Sequence, residues 1–194
     1  MLLTRRALFS TTAAAVAAAV VLSGCGDGSG HPVAATASPP RGSEPVVPRA
    51  FSARSARLTG PAGEAASLCV WLADTAERRS RGLMHVTELD GADGMVFTFP
   101  EPTTTRFVMW QTPLPLTISF FDSDGGFVGA AEMDPCLEQP SASCPRYASP
   151  APFITALEVP AGAFAELLVP GATLTLGHEQ LDLCPARPVA SDVA

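Results

Sequence analysis

Thr117-Ile118-Ser119-Phe120-Phe121-Asp122-Ser123-Asp124-Gly125-Gly126-Phe127-Val128-Gly129-Ala130-Ala131-Glu132-Met133 reads as a β-hairpin. Two apolar runs of strand length flank Asp122–Gly126, where Asp and Gly supply the turn chemistry. The aspartates beside glycine do not complete a calcium loop, because the late bidentate Glu of that motif is missing. Upstream, Leu68–Leu72 and Gly94–Phe99 are strand-length apolar runs, the second ended by Pro100. Thr104–Gln111 alternates as a further strand, broken by Pro113 and Pro115. Asp74, with Glu77 three residues on, resembles a capping box and predicts a short helix over Thr75–Leu83. Arg78, Arg79 and Arg81 fall in its later turns, where cations complement the helix dipole. Downstream come a strand at Phe153–Val159, a second short helix at Ala161–Leu168 and a closing strand at Thr173–Leu176. Short strands with two short helices give an α+β class: a compact, strand-rich domain with a curved mixed sheet or an open barrel. Its bounds are 63–185, followed by a flexible tail at 186–194.

The N-terminus reads as a targeting device, not as part of the fold. Arg5-Arg6 precede an uncharged apolar run, Ala13–Leu22. That run is shorter than the roughly 20 apolar residues a spanning helix needs. Leu22-Ser23-Gly24-Cys25 resembles the bacterial lipobox. The resemblance implies removal of a signal peptide at 1–24 and acylation of Cys25 with palmitate-like chains. Two acyl chains hold a protein stably on a bilayer where one is marginal. Thr4-Arg5-Arg6-Ala7-Leu8-Phe9 also resembles a twin-Arg signal, so the Sec and twin-Arg routes both stay open. The expected location is the extracytoplasmic face of the cell membrane, with the membrane as partner through Cys25. Residues 25–62 are rich in Pro, Gly, Ser and Ala without a sustained period, and are expected to be a disordered tether.

Charge narrows the partners. The whole chain carries −7, and all 12 basic residues are Arg. Residues 63–185 hold 16 acidic side chains against 5 Arg, a formal −11. Such a surface repels phosphate backbones and argues against nucleic acid. It equally disfavours attachment to anionic lipid through a basic patch.

Beyond Cys25, four cysteines remain: Cys69, Cys136, Cys144 and Cys184. An even number in an exported domain favours disulfides, with three pairings possible. Cys136 and Cys144 flank the polar, Pro-containing loop Leu137–Ser143, and closing it would contribute roughly 3 kcal/mol. Cys69 lies in the first strand and Cys184 beyond the last, so joining them would tie the domain's ends together, for nearly ~5 kcal/mol. No Cys-x-x-Cys is present, which places structural disulfides ahead of redox chemistry.

The histidines, His31, His85 and His178, lack metal-ligand spacing, and no metal is expected. Nucleophile-elbow, P-loop and dinucleotide motifs are missing, and no cofactor is expected. What remains is a set of polar and polarisable residues among apolar strands: Arg81, Met84, Arg106, Met109, Gln111 and Glu158. They are the candidate ligand-binding residues, with the methionines shaping an adaptable apolar pocket. The plainer reading gives Glu158 an Arg partner or a solvent-facing position.

The order of motifs carries a resemblance. Arg81-Gly82-Leu83-Met84 is followed by Gly94-Met95-Val96-Phe97, then Phe107 and Met109 with Thr112 and Pro115-Leu116. Next come Phe120-Phe121-Asp122, Met133-Asp134-Pro135-Cys136, Cys144-Pro145-Arg146-Tyr147 and Ala156-Leu157-Glu158-Val159-Pro160-Ala161-Gly162. From Glu64 to Gly177 the chain resembles the bacterial and archaeal family named domain of unknown function 192. The resemblance implies a compact strand-rich domain and no established activity. The family usually has Phe-Trp-Met-Lys-Asn-Thr followed by Pro-Leu-Asp. Here Val108 stands for the Trp, Trp110 for the Lys, Gln111 for the Asn and Thr117 for the Asp. If Lys, Asn and Asp carry a family activity, these departures remove it or change its ligand.

The leading expectation is a non-catalytic surface module that binds an envelope ligand or protein partner. The alternatives are an enzyme acting on a cell-envelope polymer and a structural accessory of an envelope complex. The enzyme would use Glu158 or Asp122 as acid/base and Arg81 or Arg106 to position substrate. A cleft joining Arg81, Gln111 and Glu158 would favour a site, and burial of these groups as satisfied pairs would favour a scaffold.

Overall fold

The computed structural model describes residues 46–181 and Cys184. The signal segment, Cys25, most of the expected tether and the tail at 186–194 lie outside the described residues. Seven strands form one mixed sheet: β1 Ser52–Thr59, β2 Ala65–Ala73, β3 Gly94–Thr103, β4 Leu116–Phe121, β5 Phe127–Met133, β6 Phe153–Pro160 and β7 Thr173–Leu181. Their order is β5-β4-β6-β3-β2-β1-β7. Every neighbouring pair is antiparallel except β2–β3. Among the described residues the only α-helix is α1, Ala76–Arg81, so the domain is strand-rich with very little helix.

The expected hairpin is β4–β5, registered from Leu116↔Met133 to Phe121↔Phe127. Asp122 builds its turn by accepting the amides of Asp124 and Gly126 on Oδ1 at 2.9 and 2.8 Å. Both expected disulfides are present, Cys69–Cys184 and Cys136–Cys144.

Other expectations are corrected. The tether was expected to run to residue 62, yet Ser52–Thr59 is β1, held between β2 and β7. Its buried residues are Ala53, Ala56 and Leu58, two of them small, and a bulge between Arg54 and Ala56 shifts their phase. The helix cap is Thr75, whose hydroxyl accepts the Arg78 amide at 3.2 Å. Asp74 instead pairs with the Arg78 guanidinium at 2.8 Å. The second helix is replaced by consecutive turns over 161–167, because Gly162 (φ 77°) and Phe164 (φ 57°) both leave the right-handed region. The alternating segment 104–111 is no strand; it pairs with other backbone through the isolated bridges Phe107↔Tyr147 and Trp110↔Cys136. β3 runs on past Pro100 to Thr103, with a register shift where proline cannot donate to the ladder.

The sheet curls until its two edges touch at one end. Phe127 N–H donates to Ala172 O at 2.9 Å, and Leu174 N–H donates to Gly125 O at 2.8 Å. One buried cluster takes Leu58, Val70, Val96, Phe121, Leu157 and Leu174 from strands spread across the sheet, as the enclosed face of such a curl must. The other face carries Trp71, Met95, Phe97, Ile118 and Phe120 and is roofed by the connecting segments.

β3 and β6 approach closely at Gly94. A Cβ on that residue would collide with the Glu158 carbonyl oxygen, which belongs to the sheet backbone. Gly94→Ala should therefore destabilise the domain by about 1–3 kcal/mol or more, as overpacking does. Urea denaturation checks this, and an unchanged midpoint would show that the strands have room to part.

Candidate functional site

Three connections cross the same face of the sheet. They join β2 to β3 (residues 74–93), β3 to β4 (104–115) and β5 to β6 (134–152). Leu83 and Val86 from the first, Met109 from the second, and Cys136 and Cys144 from the third bury in one cluster with Trp71 and Met95. Main-chain bonds tie the three together. His85 N–H donates to Gln111 O at 2.7 Å, Gln111 N–H to Cys136 O at 3.0 Å, and Cys136 N–H to Met109 O at 3.2 Å. Phe107 and Tyr147 exchange amide–carbonyl bonds of 2.8 and 2.9 Å. His85 and Gln111 both hold positive φ, 63° and 55°, an uncommon conformation for non-glycine residues.

Between the first two of these connections and the sheet lies a cavity of about 530 Å³. Leu83, Met84, Phe97, Phe99, Phe107 and Val108 make its apolar walls. Glu158 and Thr112 also line it, as do Arg81 and Arg106, which are exposed. Phe107 packs edge-on against Phe97 at 5.1 Å between ring centroids, so this aromatic wall is ordered by its own contacts.

Glu158 lies on β6, registered between Met95 of β3 and Ile118 of β4. Its neighbours across the sheet are therefore apolar on both sides. It is 6% exposed, and among the described residues no hydrogen bond or ion pair reaches its carboxyl group. Burial removes water from the charged form and pushes its pKa from 4.5 up to about 8. At neutral pH the group is a carboxylic acid that can donate a hydrogen bond. This corrects the plainer expectation on both counts, since Glu158 has neither an Arg partner nor a solvated position.

Of the six candidate residues, Arg81, Met84, Arg106 and Glu158 come together around the cavity. Met109 does not line it and sits in the core at 1% exposure. Gln111 turns away and donates Nε2–H to Leu137 O at 2.9 Å. Asp122 is committed to the hairpin turn. Phe97, Phe99, Val108 and Thr112 line the cavity without having been candidates. A signal existed for the first two, because period-two alternation puts Met95, Phe97 and Phe99 on one face. Among the departures from the family pattern, Val108 lines the cavity, Trp110 bridges Cys136, and Thr117 Oγ1 accepts the Gly162 amide at 3.1 Å.

Residues 58–176, more than half of the chain, match the DUF192 family, described as "Uncharacterized ACR". The chain belongs to this family. Two crystal structures share the DUF192 protein's fold. A proposed transcription regulator from Sinorhizobium meliloti is 28% identical with TM-score 0.57, covering 65% of this chain and 95% of that one. A protein of unknown function from Novosphingobium aromaticivorans is 27% identical with TM-score 0.54, covering 62% and 83%. No curated protein matches the chain.

The raised pKa of Glu158 sets a pH dependence with a definite sign. Between 4.5 and about 8 the native state holds a proton that the unfolded state has lost. Stability from this group is therefore complete below 4.5 and declines as pH rises toward 8, by up to about 1.4 kcal/mol per pH unit. Glu158→Gln cannot ionise. Its melting temperature should match the wild type near about pH 5 and exceed it near about pH 8.5. Parallel melting curves across that range would show that Glu158 titrates normally.

Proposed function

We propose that this DUF192 protein is a membrane-anchored extracytoplasmic lipoprotein whose domain binds a small organic ligand in the cavity under α1. The observation that carries the reading is the Glu158 carboxyl, buried without a partner in the wall of a preformed, mostly apolar cavity. Burying an unpaired polar group costs free energy, and a scaffold would be better served by an apolar residue there. A ligand that accepts or donates a hydrogen bond at Glu158 removes that penalty. Ligand pockets commonly combine apolar walls, a few convergent polar groups and volumes of roughly 300–1,000 Å³. The two disulfides fit an oxidising compartment, and the lipobox at Cys25 supplies the anchor. The transcription role named for the Sinorhizobium meliloti neighbour is not carried over, because the 16 acidic side chains against 5 Arg over 63–185 repel nucleic acid.

A thermal-shift screen of the full oxidised chain against envelope saccharides, peptidoglycan fragments and common metabolites tests the site. Ligand at about 100 times its dissociation constant should add roughly 2.7 kcal/mol. Val108→Trp fills the cavity wall and should abolish every hit while the protein still melts cooperatively. Hits that survive that substitution, or a flat screen, would refute the cavity as the site. The anchor has its own test in membrane fractionation. Cys25→Ala should move the exported protein from the membrane pellet to the soluble fraction, and retention in the pellet would refute lipid attachment at that residue.

A further inference from the structure

We infer that the ligand is an amphipathic organic anion, with its apolar body between Met84, Phe97 and Phe107, its charged head on Arg81 and Arg106, and an uncharged polar atom toward Glu158. This deepens the proposed function and rests on the cavity being a ligand site. The argument starts from which arginines are already engaged. Residues 63–185 contain five, and three have partners. Arg78 pairs with Asp74 at 2.8 Å. Arg79 donates to Asp74 O at 2.7 Å and Thr98 O at 2.8 Å, with its guanidinium 4.8 Å from the Phe99 ring centre. Arg146 donates to Ser141 O at 3.0 Å. The guanidinium groups of the remaining two, Arg81 and Arg106, make no hydrogen bond or ion pair among the described residues, and both residues line the same cavity.

Neither guanidinium forms an ion pair among the described residues, and both are exposed at the cavity, so their donors are free to meet a ligand. One comes from the last turn of α1 and the other from the β3–β4 connection, so two separate segments bring charge to one opening. A planar guanidinium recognises carboxylate and phosphate heads through paired donors. The surrounding negative surface repels anions in general, so an anion gains only at this opening. Leu83, Met84, Phe97, Phe107 and Val108 meanwhile offer an apolar body nothing polar to contact. Glu158, buried on β6 in the cavity wall, would meet an ether, carbonyl or hydroxyl oxygen of the ligand.

Calorimetry with three probes sharing one apolar body tests this on the full chain in phosphatidylcholine nanodiscs. The probes are phenylbutyrate, phenylbutanol and phenylbutylamine. The anion should bind at least about tenfold more tightly than the alcohol, with the amine weakest. Arg81→Ala and Arg106→Ala should each weaken phenylbutyrate about tenfold and leave phenylbutanol unchanged, which also reports that the variants are folded. Arg146→Ala removes the same charge elsewhere and should change neither. Competition by phosphatidylglycerol vesicles separates a bilayer lipid from a free amphiphile as the natural source, and either source upholds the anionic class. If the alcohol or amine binds as tightly as the anion, the cavity stands as a ligand site and the anion inference falls. If none of the three binds, both fall.

Discussion

One parallel strand pair dictates much of this molecule. β2 and β3 run side by side in the same direction, from Val70↔Gly94 to Ala73↔Phe97. Antiparallel neighbours can be joined by a tight turn, but a parallel pair needs a connection that crosses a face of the sheet. Residues 74–93 make that crossing and deposit α1 and Leu83–Val86 on the outer face. The order β4-β6-β3 then sends the β3–β4 connection over β6, and β5-β4-β6 sends the β5–β6 connection over β4. Three crossings on one face produce a roof assembled from loops, and the cavity is the space that the first two leave above β3 and β6.

The interior of a sheet, with a strand on either side, is poorly hydrated, and Glu158 sits there on β6 between β4 and β3. Its cross-strand partners are Met95 and Ile118, so sheet pairing gives it nothing to bond with. A carboxyl placed there loses its charge before it disrupts the sheet, which is the meaning of a pKa near 8. Alternation leaves little freedom, because moving β6 by one residue would exchange Glu158 for Leu157 or Val159 and break the enclosed core on the other face. Gly94 reinforces the register by letting β3 close onto the Glu158 carbonyl. Backbone packing and carboxyl position are thus one constraint viewed from two sides.

Strong local signals survived into the fold, and tertiary effects overrode the weak ones. The Asp-Ser-Asp-Gly-Gly turn and the apolar runs at Leu68–Leu72 and Phe153–Val159 were legible because turn chemistry and strand patterning agree there. β1 was hidden by composition, since Ala53 and Ala56 are small, Arg54 and Arg57 interrupt them, and only pairing with β2 and β7 makes the segment a strand. Ala161–Leu168 has helix-forming residues, but positive φ at Gly162 and Phe164 folds it into turns. At the site, the sequence pointed to Arg81, Arg106, Met84 and Glu158 through charge or sulfur placed among apolar neighbours. It misassigned Gln111, whose direction depends on a left-handed backbone and a bond to Leu137 O. It passed over Val108, because nothing local marks a valine as a cavity wall.

A binding site roofed by loops needs its loops fixed, since ordering them on binding would consume the affinity their contacts provide. Here the wall formed by Arg106–Val108 has no place in the sheet. It is held instead by Phe107 against Tyr147 and by Met109 and Gln111 against Cys136. Those anchors sit at either end of the segment that Cys136–Cys144 closes, so the disulfide limits how far they can separate. The second disulfide does a different job, joining β2 to the chain just beyond β7, two strands away in the sheet order. One bridge thus secures the sheet and the other secures the loop on which the Arg106–Val108 wall is anchored.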